Sequence, residues 1–121
     1  MLIMPRTIVS DWQYASSADI VDTNAVTVSA APGTTLRNYV SGVDVHNSDI
    51  AVGTVVNVLS GSTVIWSCFV SPFVVAAPGS SHVGRCFVQP LKGGANEAIT
   101  VQCVTTSAQV RVALQGFTAV A

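Results

Sequence analysis

The chain has 121 residues, of which 50% are apolar and only 9% are charged, whereas about a quarter are charged in ordinary globular proteins. A mean hydropathy of +0.56 with a net charge of −1 excludes a disordered chain, and this length suits one hydrophobic core. The longest apolar run covers only residues 73–77, which excludes a membrane-spanning helix because a span needs about 20 residues. We therefore expect one folded domain without a membrane partner, whose surface is largely covered by neighbours.

The basic residues are too few and too scattered for nucleic-acid binding, which needs a clustered positive surface. All five stand singly in the sequence: Arg6, Arg37, Arg85, Lys92 and Arg111. The apolar start, residues 1–4, is shorter than the roughly 7 to 15 residues of a secretory signal. The sequence thus predicts no nucleic-acid partner and no export signal.

Three cysteines, Cys68, Cys86 and Cys103, lie in apolar runs and lack any C-x-x-C spacing. An odd number of cysteines without such a pair is typical of thiols in a reducing cytosol. The apolar surroundings predict buried, unreactive thiols. One disulfide bridge among the three remains an open alternative.

Valine and threonine dominate the composition, with 22 and 11 residues, and their β-branched side chains favour strands. Seven or eight short runs are predicted as strands. In chain order they are residues 24–30, Leu36–Asn47, 52–59, Thr63–Val70, the short apolar piece 73–77, 82–88, 99–105 and 109–117. The Gly-containing turn at 60–62 joins two of them into a hairpin. We expect the 36–47 strand to pair with residues 52–59, and residues 89–96, with Pro90, Gly93 and Gly94, to form a loop.

About eight short strands without helices are typical of an all-β fold, here an antiparallel β-sandwich or jelly roll with an extended N-terminal arm. A closed barrel is the alternative, and the pattern leaves the topology open. Residues 1–23 lack sustained alternation and are assigned to the arm, and residues 24–121 to the β-sandwich domain. Trp12 and Tyr14 in the arm are candidate protein-interface anchors. The arm either docks on a neighbour or closes one end of its own sandwich.

Asp44, His46 and Ser48 alternate along one predicted strand and could suggest a hydrolase. Residues two apart on a strand lie about 6.5 to 7 Å from each other, too far for direct hydrogen bonds along the row. We therefore interpret the row as a polar outer face. A metal site would need His46, His82 and a carboxylate to converge, and their spacing matches no ligand motif.

Two further patterns associated with catalysis are incomplete. Gly93 and Gly94 follow Lys92 without the residue order of a phosphate-binding loop. Glu97 and the five aspartates offer no obvious carboxylate pair for glycoside chemistry. The sequence predicts a protein that is not an enzyme and has no catalytic residues, cofactor or metal.

Five segments resemble a group of small β-sandwich virion proteins of tailed bacteriophages, the capsid decoration or cement type. They are residues 35–43 (TLRNYVSGV), 61–66 (GSTVIW), 90–93 (PLKG), Ile99–Cys103 (ITVQC) and 113–117 (ALQGF). The similarity spans about residues 35–119 and leaves residues 1–23 outside. Its motifs are strand and turn patterns, so no individual functional residue is carried over.

The resemblance implies a structural virion protein, made in the host cytoplasm, that binds and stabilises the outer capsid shell. Its implied partners are the major capsid protein and further copies of itself, with a homotrimer favoured. A tail, baseplate or fibre module that contacts the host receptor is the alternative. A third hypothesis, a monomeric small-ligand or carbohydrate-binding sandwich, would need a concave cleft lined by aromatic residues.

Overall fold

Runs of valine, isoleucine and threonine form eight β-strands in the computed structural model, which describes residues 8–74 and 81–121. The strands are β1 (Ile8–Ala15), β2 (Val26–Ser29), β3 (Leu36–Asn47), β4 (Thr54–Ser60), β5 (Thr63–Val70), β6 (His82–Ala95), β7 (Ile99–Cys103) and β8 (Val110–Val120). Within the described ranges, no helix has the length and apolarity needed to cross a membrane. The apolar start, residues 1–4, and residues 75–77 of the longest apolar run lie outside these ranges.

The strands form two antiparallel four-stranded sheets that pack face to face. Sheet A has the order β1-β8-β3-β6, and sheet B has the order β2-β7-β4-β5. The chain is paired as one long hairpin with the β4–β5 turn at its tip, and this hairpin folds over into the sandwich. Its strand pairs are β1–β8, β2–β7, β3–β6 and β4–β5. This topology is the jelly roll. The predicted β-sandwich is confirmed, and the closed barrel is wrong.

The β4–β5 hairpin confirms the prediction made from its Gly-containing turn. The pairing continues from Thr54 opposite Val70 to Ser60 opposite Thr63. Gly61 in the turn has a φ of 57°, a left-handed conformation that glycine adopts without a steric penalty. The predicted bounds of β3 and β5 also match the observed ones.

The partner predicted for β3 is wrong. β3 pairs with β6 and β8 in sheet A, whereas β4 pairs with β5 and β7 in sheet B. The connection between β3 and β4 crosses from one sheet to the other. The Asp49 carboxylate accepts hydrogen bonds from the backbone N–H groups of Ala51 and Val52, at 2.9 and 2.6 Å, which turns the chain away from sheet A.

The loop predicted at residues 89–96 is also wrong, because β6 continues to Ala95. Gly42 pairs with Cys86, and Val40 pairs with Leu91. Between these two pairs β6 contains several more residues than β3, which is an irregularity in the strand pairing. β6 is an edge strand, and edge strands tolerate proline at such positions because one side makes no ladder hydrogen bonds.

Part of the predicted N-terminal arm lies in the sandwich. Ile8–Ala15 forms β1, which pairs with β8 and is an edge strand of sheet A. Ile20 makes a further backbone bridge to Val110. The division of the chain into an arm and a separate sandwich domain stays a prediction.

The core between the sheets consists mainly of β-branched side chains that alternate with outward-facing residues along each strand. Its members include Val40, Val43, Val45, Val112 and Leu114 from sheet A, and Val56, Val58, Ile99, Val101 and Cys103 from sheet B. This alternation has the period of two that the strand patterns predicted.

Two fully buried asparagines lie near the ends of β3. The Asn38 amide donates to the carbonyls of Ala30 and Glu97, and its oxygen accepts the Thr118 hydroxyl at 2.7 Å. The Asn47 amide donates to the carbonyls of Val52 and Ser71, and its oxygen accepts the N–H groups of Asp49 and Gln109. Each asparagine therefore connects several segments at one end of the sandwich.

Asn47→Ala is expected to lower the free energy of unfolding by about 2 to 3 kcal/mol, because it removes partners from buried backbone groups. The matched control is Ser48→Ala, which removes an exposed hydroxyl 3.3 Å from the Gln109 carbonyl and should cost less than about 1 kcal/mol. Urea unfolding measures both. Equal stability of the two variants would contradict this role of Asn47.

Candidate functional site

The candidate anchors Trp12 and Tyr14 lie on β1 and are half-buried against the chain's own core. Trp12 is opposite Gly116 of β8, and a side chain at Gly116 would collide with the Trp12 ring and the Tyr39 carbonyl oxygen. The Trp12 indole N–H is buried and has no acceptor among the described residues. The two aromatic residues are therefore seated within the sandwich, and their role as interface anchors stays a prediction.

A groove of about 610 Å³ crosses the outer face of sheet A. Two rows of neighbouring residues line much of it: Ala15, Ala113, Asp44 and Gly84 in one, and Gln13, Gln115, Gly42 and Cys86 in the other. Half of these eight positions are glycine or alanine, so the surface is depressed between longer polar side chains. Its volume is within the range of ligand sites, but Tyr14 is the one aromatic residue in its lining.

Asp44, His46 and His82 come together at the side of this groove. His46 lies directly opposite His82 on the neighbouring strand, with ring centroids 6.3 Å apart. Asp44 Oδ1 lies 2.5 Å from His82 Nε2, and both side chains are about half exposed, so solvent screens the pair. Spacing along the sequence missed this contact because β3 and β6 are distant in the chain.

The hydrogen bonds at this site do not join Asp44, His46 and Ser48 in the way that a hydrolase would need. The Asp44 carboxylate pairs with His82 and not with His46, while the Ser48 hydroxyl bonds to Gln109. Asp44, His46 and Ser48 are exposed, which confirms the polar outer face predicted for β3. Among residues 8–74 and 81–121, no group of three or more His, Cys, Asp and Glu side chains could hold a metal ion.

The three cysteines are free and differ in their environments. Cys103 is buried, and burial raises the pKa of its thiol to about 11, with smaller contributions from Asp22 and Cys68. Burial also raises the pKa of the half-buried Cys68 thiol, which Arg85 opposes. Cys86 is exposed on the outer face of sheet A, so the prediction that all three thiols are buried is wrong for this residue.

Charged residues are distributed unequally between the two sheets. The strands of sheet A contain six of them: Asp11, Arg37, Asp44, Arg85, Lys92 and Arg111. The strands of sheet B contain none. At the edge of sheet B, Val64 is 50% and Phe69 is 60% exposed. The outer face of sheet B is therefore an uncharged, partly apolar surface.

Strand order and sheet pairing define the fold as a single jelly-roll β-sandwich. No protein-family model matches the sequence, and no curated protein matches it.

Comparison with solved structures found viral capsid and coat proteins of low sequence identity, and the match with a TM-score above 0.5 shows the same fold. A chain of the acid-stable capsid of Helicobacter pylori bacteriophage KHP30 superposes with a TM-score of 0.57 and 11% identity, covering 96% of this chain and 92% of that one. A chain of the cyanophage Pam1 capsid gives a TM-score of 0.43 and 22% identity, covering 97% and 92%. The coat protein of Tobacco streak virus gives 0.41 and 11%, covering 100% and 91%.

Gly116→Ala is expected to displace Trp12 and lower the free energy of unfolding by about 1 to 3 kcal/mol, because the added methyl group collides with the Tyr39 carbonyl oxygen and with the Trp12 ring. Urea unfolding measures the stability, and a shift in tryptophan fluorescence reports the displacement. Gly84→Ala is the control, since its methyl group would have no neighbour closer than 4.0 Å, and its stability should change by less than about 1 kcal/mol. The same loss in both variants would contradict the proposed steric cause.

Iodoacetamide at pH 8 is expected to modify Cys86 first, Cys68 more slowly and Cys103 only after unfolding. With a pKa of about 11, roughly one Cys103 thiol in a thousand is ionised at that pH, and burial blocks access as well. Mass spectrometry of timed samples assigns each site, and Cys86→Ser should remove the fast phase. Modification of Cys103 as fast as Cys86 in the folded protein would refute this order.

Proposed function

We propose that this chain is a non-enzymatic structural virion protein that binds the outer surface of a tailed-phage capsid and stabilises the shell. The observation that carries this proposal is the likeness to the KHP30 capsid chain, which covers almost the whole of both chains. The jelly roll is therefore shared over nearly all of both chains.

The distribution of charge gives independent support. In a free monomer the share of charged residues is ordinarily higher than the 9% of this chain, because surface charge opposes association. Here the strands of an entire sheet are uncharged. Such a surface can be covered by a neighbouring protein without leaving charges buried and unpaired.

The proposed partners are the major capsid protein and further copies of this chain, without nucleic acid or membrane. The assembly favoured by the sequence resemblance is a homotrimer at the capsid surface, made in the host cytoplasm. In a closed oligomer several weak contacts with the shell act together, and avidity exceeds single-site affinity by about 10² to 10⁴. Each subunit then needs only a weak contact with the shell.

The groove on sheet A favours a second candidate, a tail, baseplate or fibre module that binds a host receptor. Gln13, Gln115 and Asp44 in its lining offer hydrogen-bonding groups to a glycan. Binding of the purified chain to host cells, together with its position in the tail, would favour this candidate.

Cryo-electron microscopy of capsids prepared with and without the chain tests the proposal. We expect added density on the outer shell and a higher temperature of capsid rupture when the chain is present. Native mass spectrometry of the free chain should give three times the monomer mass. A chain that stays monomeric and does not bind capsids would refute the proposal.

A further inference from the structure

We propose that the free edge of β5 pairs antiparallel with β5 of a second copy, so that two B sheets join into one continuous eight-stranded sheet. This inference rests on the self-association in the proposed function and adds to the trimer a separate two-fold contact through one strand. Within the described part of the chain, β5 is the terminal strand of sheet B and pairs on one side only, with β4.

The other three edge strands carry features that oppose pairing with another chain. β1 has Asp11 and an irregularity between Ile8 and Ser10. β2 has only four residues, with an irregularity of its own. β6 contains Pro90, Lys92 and two irregularities in its pairing with β3. Charges, prolines, short length and bulges are the usual devices that block edge-to-edge association.

β5 has few of these features. It has eight residues, Thr63–Val70, with no proline and no charged residue. Its one irregularity lies near the turn, and the five residues from Trp66 to Val70 pair regularly with β4. The sequence of β5 is rich in β-branched and aromatic residues, which favour strands. An unpaired edge of this kind presents a row of N–H and C=O groups to an incoming strand.

A second copy of the chain fits this edge better than an unrelated strand. Two identical strands related by a two-fold axis have equal length and form a closed, self-complementary contact. Because the strands of sheet B have no charged residue, the joined strands of the two copies place no charge against each other. Val64 and Phe69, which are 50% and 60% exposed, would pack against the joining strand.

The extent of this contact predicts its strength. One ladder of eight residues buries less surface than the roughly 1,200 Å² at the lower end of stable interfaces. We therefore expect dimerisation in solution that depends on concentration, and a stronger contact between copies held side by side on a shell. A trimer would need a surface other than β5.

Phe69→Lys tests the contact, because it places a charge beside the β5 edge. Analytical ultracentrifugation of the full chain should show the free species, monomer or trimer, associating further through pairwise contacts as the concentration rises. Phe69→Lys should raise the dissociation constant of that pairwise step at least 10-fold. Val88→Lys is the matched control: Val88 is a fully exposed apolar residue of β6 in sheet A, and its replacement should leave the dissociation constant unchanged.

Hydrogen–deuterium exchange of the unmodified chain adds a test that does not depend on how the variant folds. Slower exchange of amides in β5 at high concentration, with other edges unchanged, is the expected result. The inference would be overturned if the chain formed a trimer or another oligomer while the exchange rates of the β5 amides stayed unchanged and Phe69→Lys had no effect on association.

Capsid binding separates this inference from the proposed function. A chain that binds capsids but remains monomeric at every concentration overturns the β5 contact and leaves the virion role intact. A chain that dimerises through β5 but does not bind capsids supports the contact and counts against the virion role.

Discussion

The jelly roll depends on how β3 is held at its two ends. This strand lies inside sheet A between β6 and β8, and the fully buried Asn38 and Asn47 connect it to the surrounding segments. A buried amide without hydrogen-bond partners costs free energy. The Asn38 side chain bonds to backbone carbonyls and to the Thr118 hydroxyl, and the Asn47 side chain bonds to backbone groups. These hydrogen bonds therefore attach the loops at both ends of the sandwich to β3.

The outer faces of sheets A and B differ in the side chains that they present. Sheet A presents charged and polar side chains outward, including the Asp44–His82 pair, and small residues create its groove. Sheet B presents an uncharged face and ends in β5, an edge with little protection. In the proposed assembly this difference would let sheet A keep the monomer hydrated while sheet B is available for protein contacts.

Local patterns predicted the local parts of the fold well. The bounds of β3 and β5 and the β4–β5 hairpin follow from alternation and from the Gly-containing turn. Pairing between distant strands was not predictable in this way. The continuation of β6 past Pro90 also escaped prediction, because an edge position tolerates residues that normally end a strand.

The sequence by itself determined the all-β class, the scarcity of charge and the single core, because propensity and alternation are properties of neighbouring residues. Only the tertiary structure decided which strands share a sheet. That choice placed His46 opposite His82, exposed Cys86, seated Trp12 over Gly116 and left one sheet without charges. The physical reason is that these features arise from hydrogen bonds and packing between residues far apart in the chain, and a short stretch of sequence carries no information on such partners.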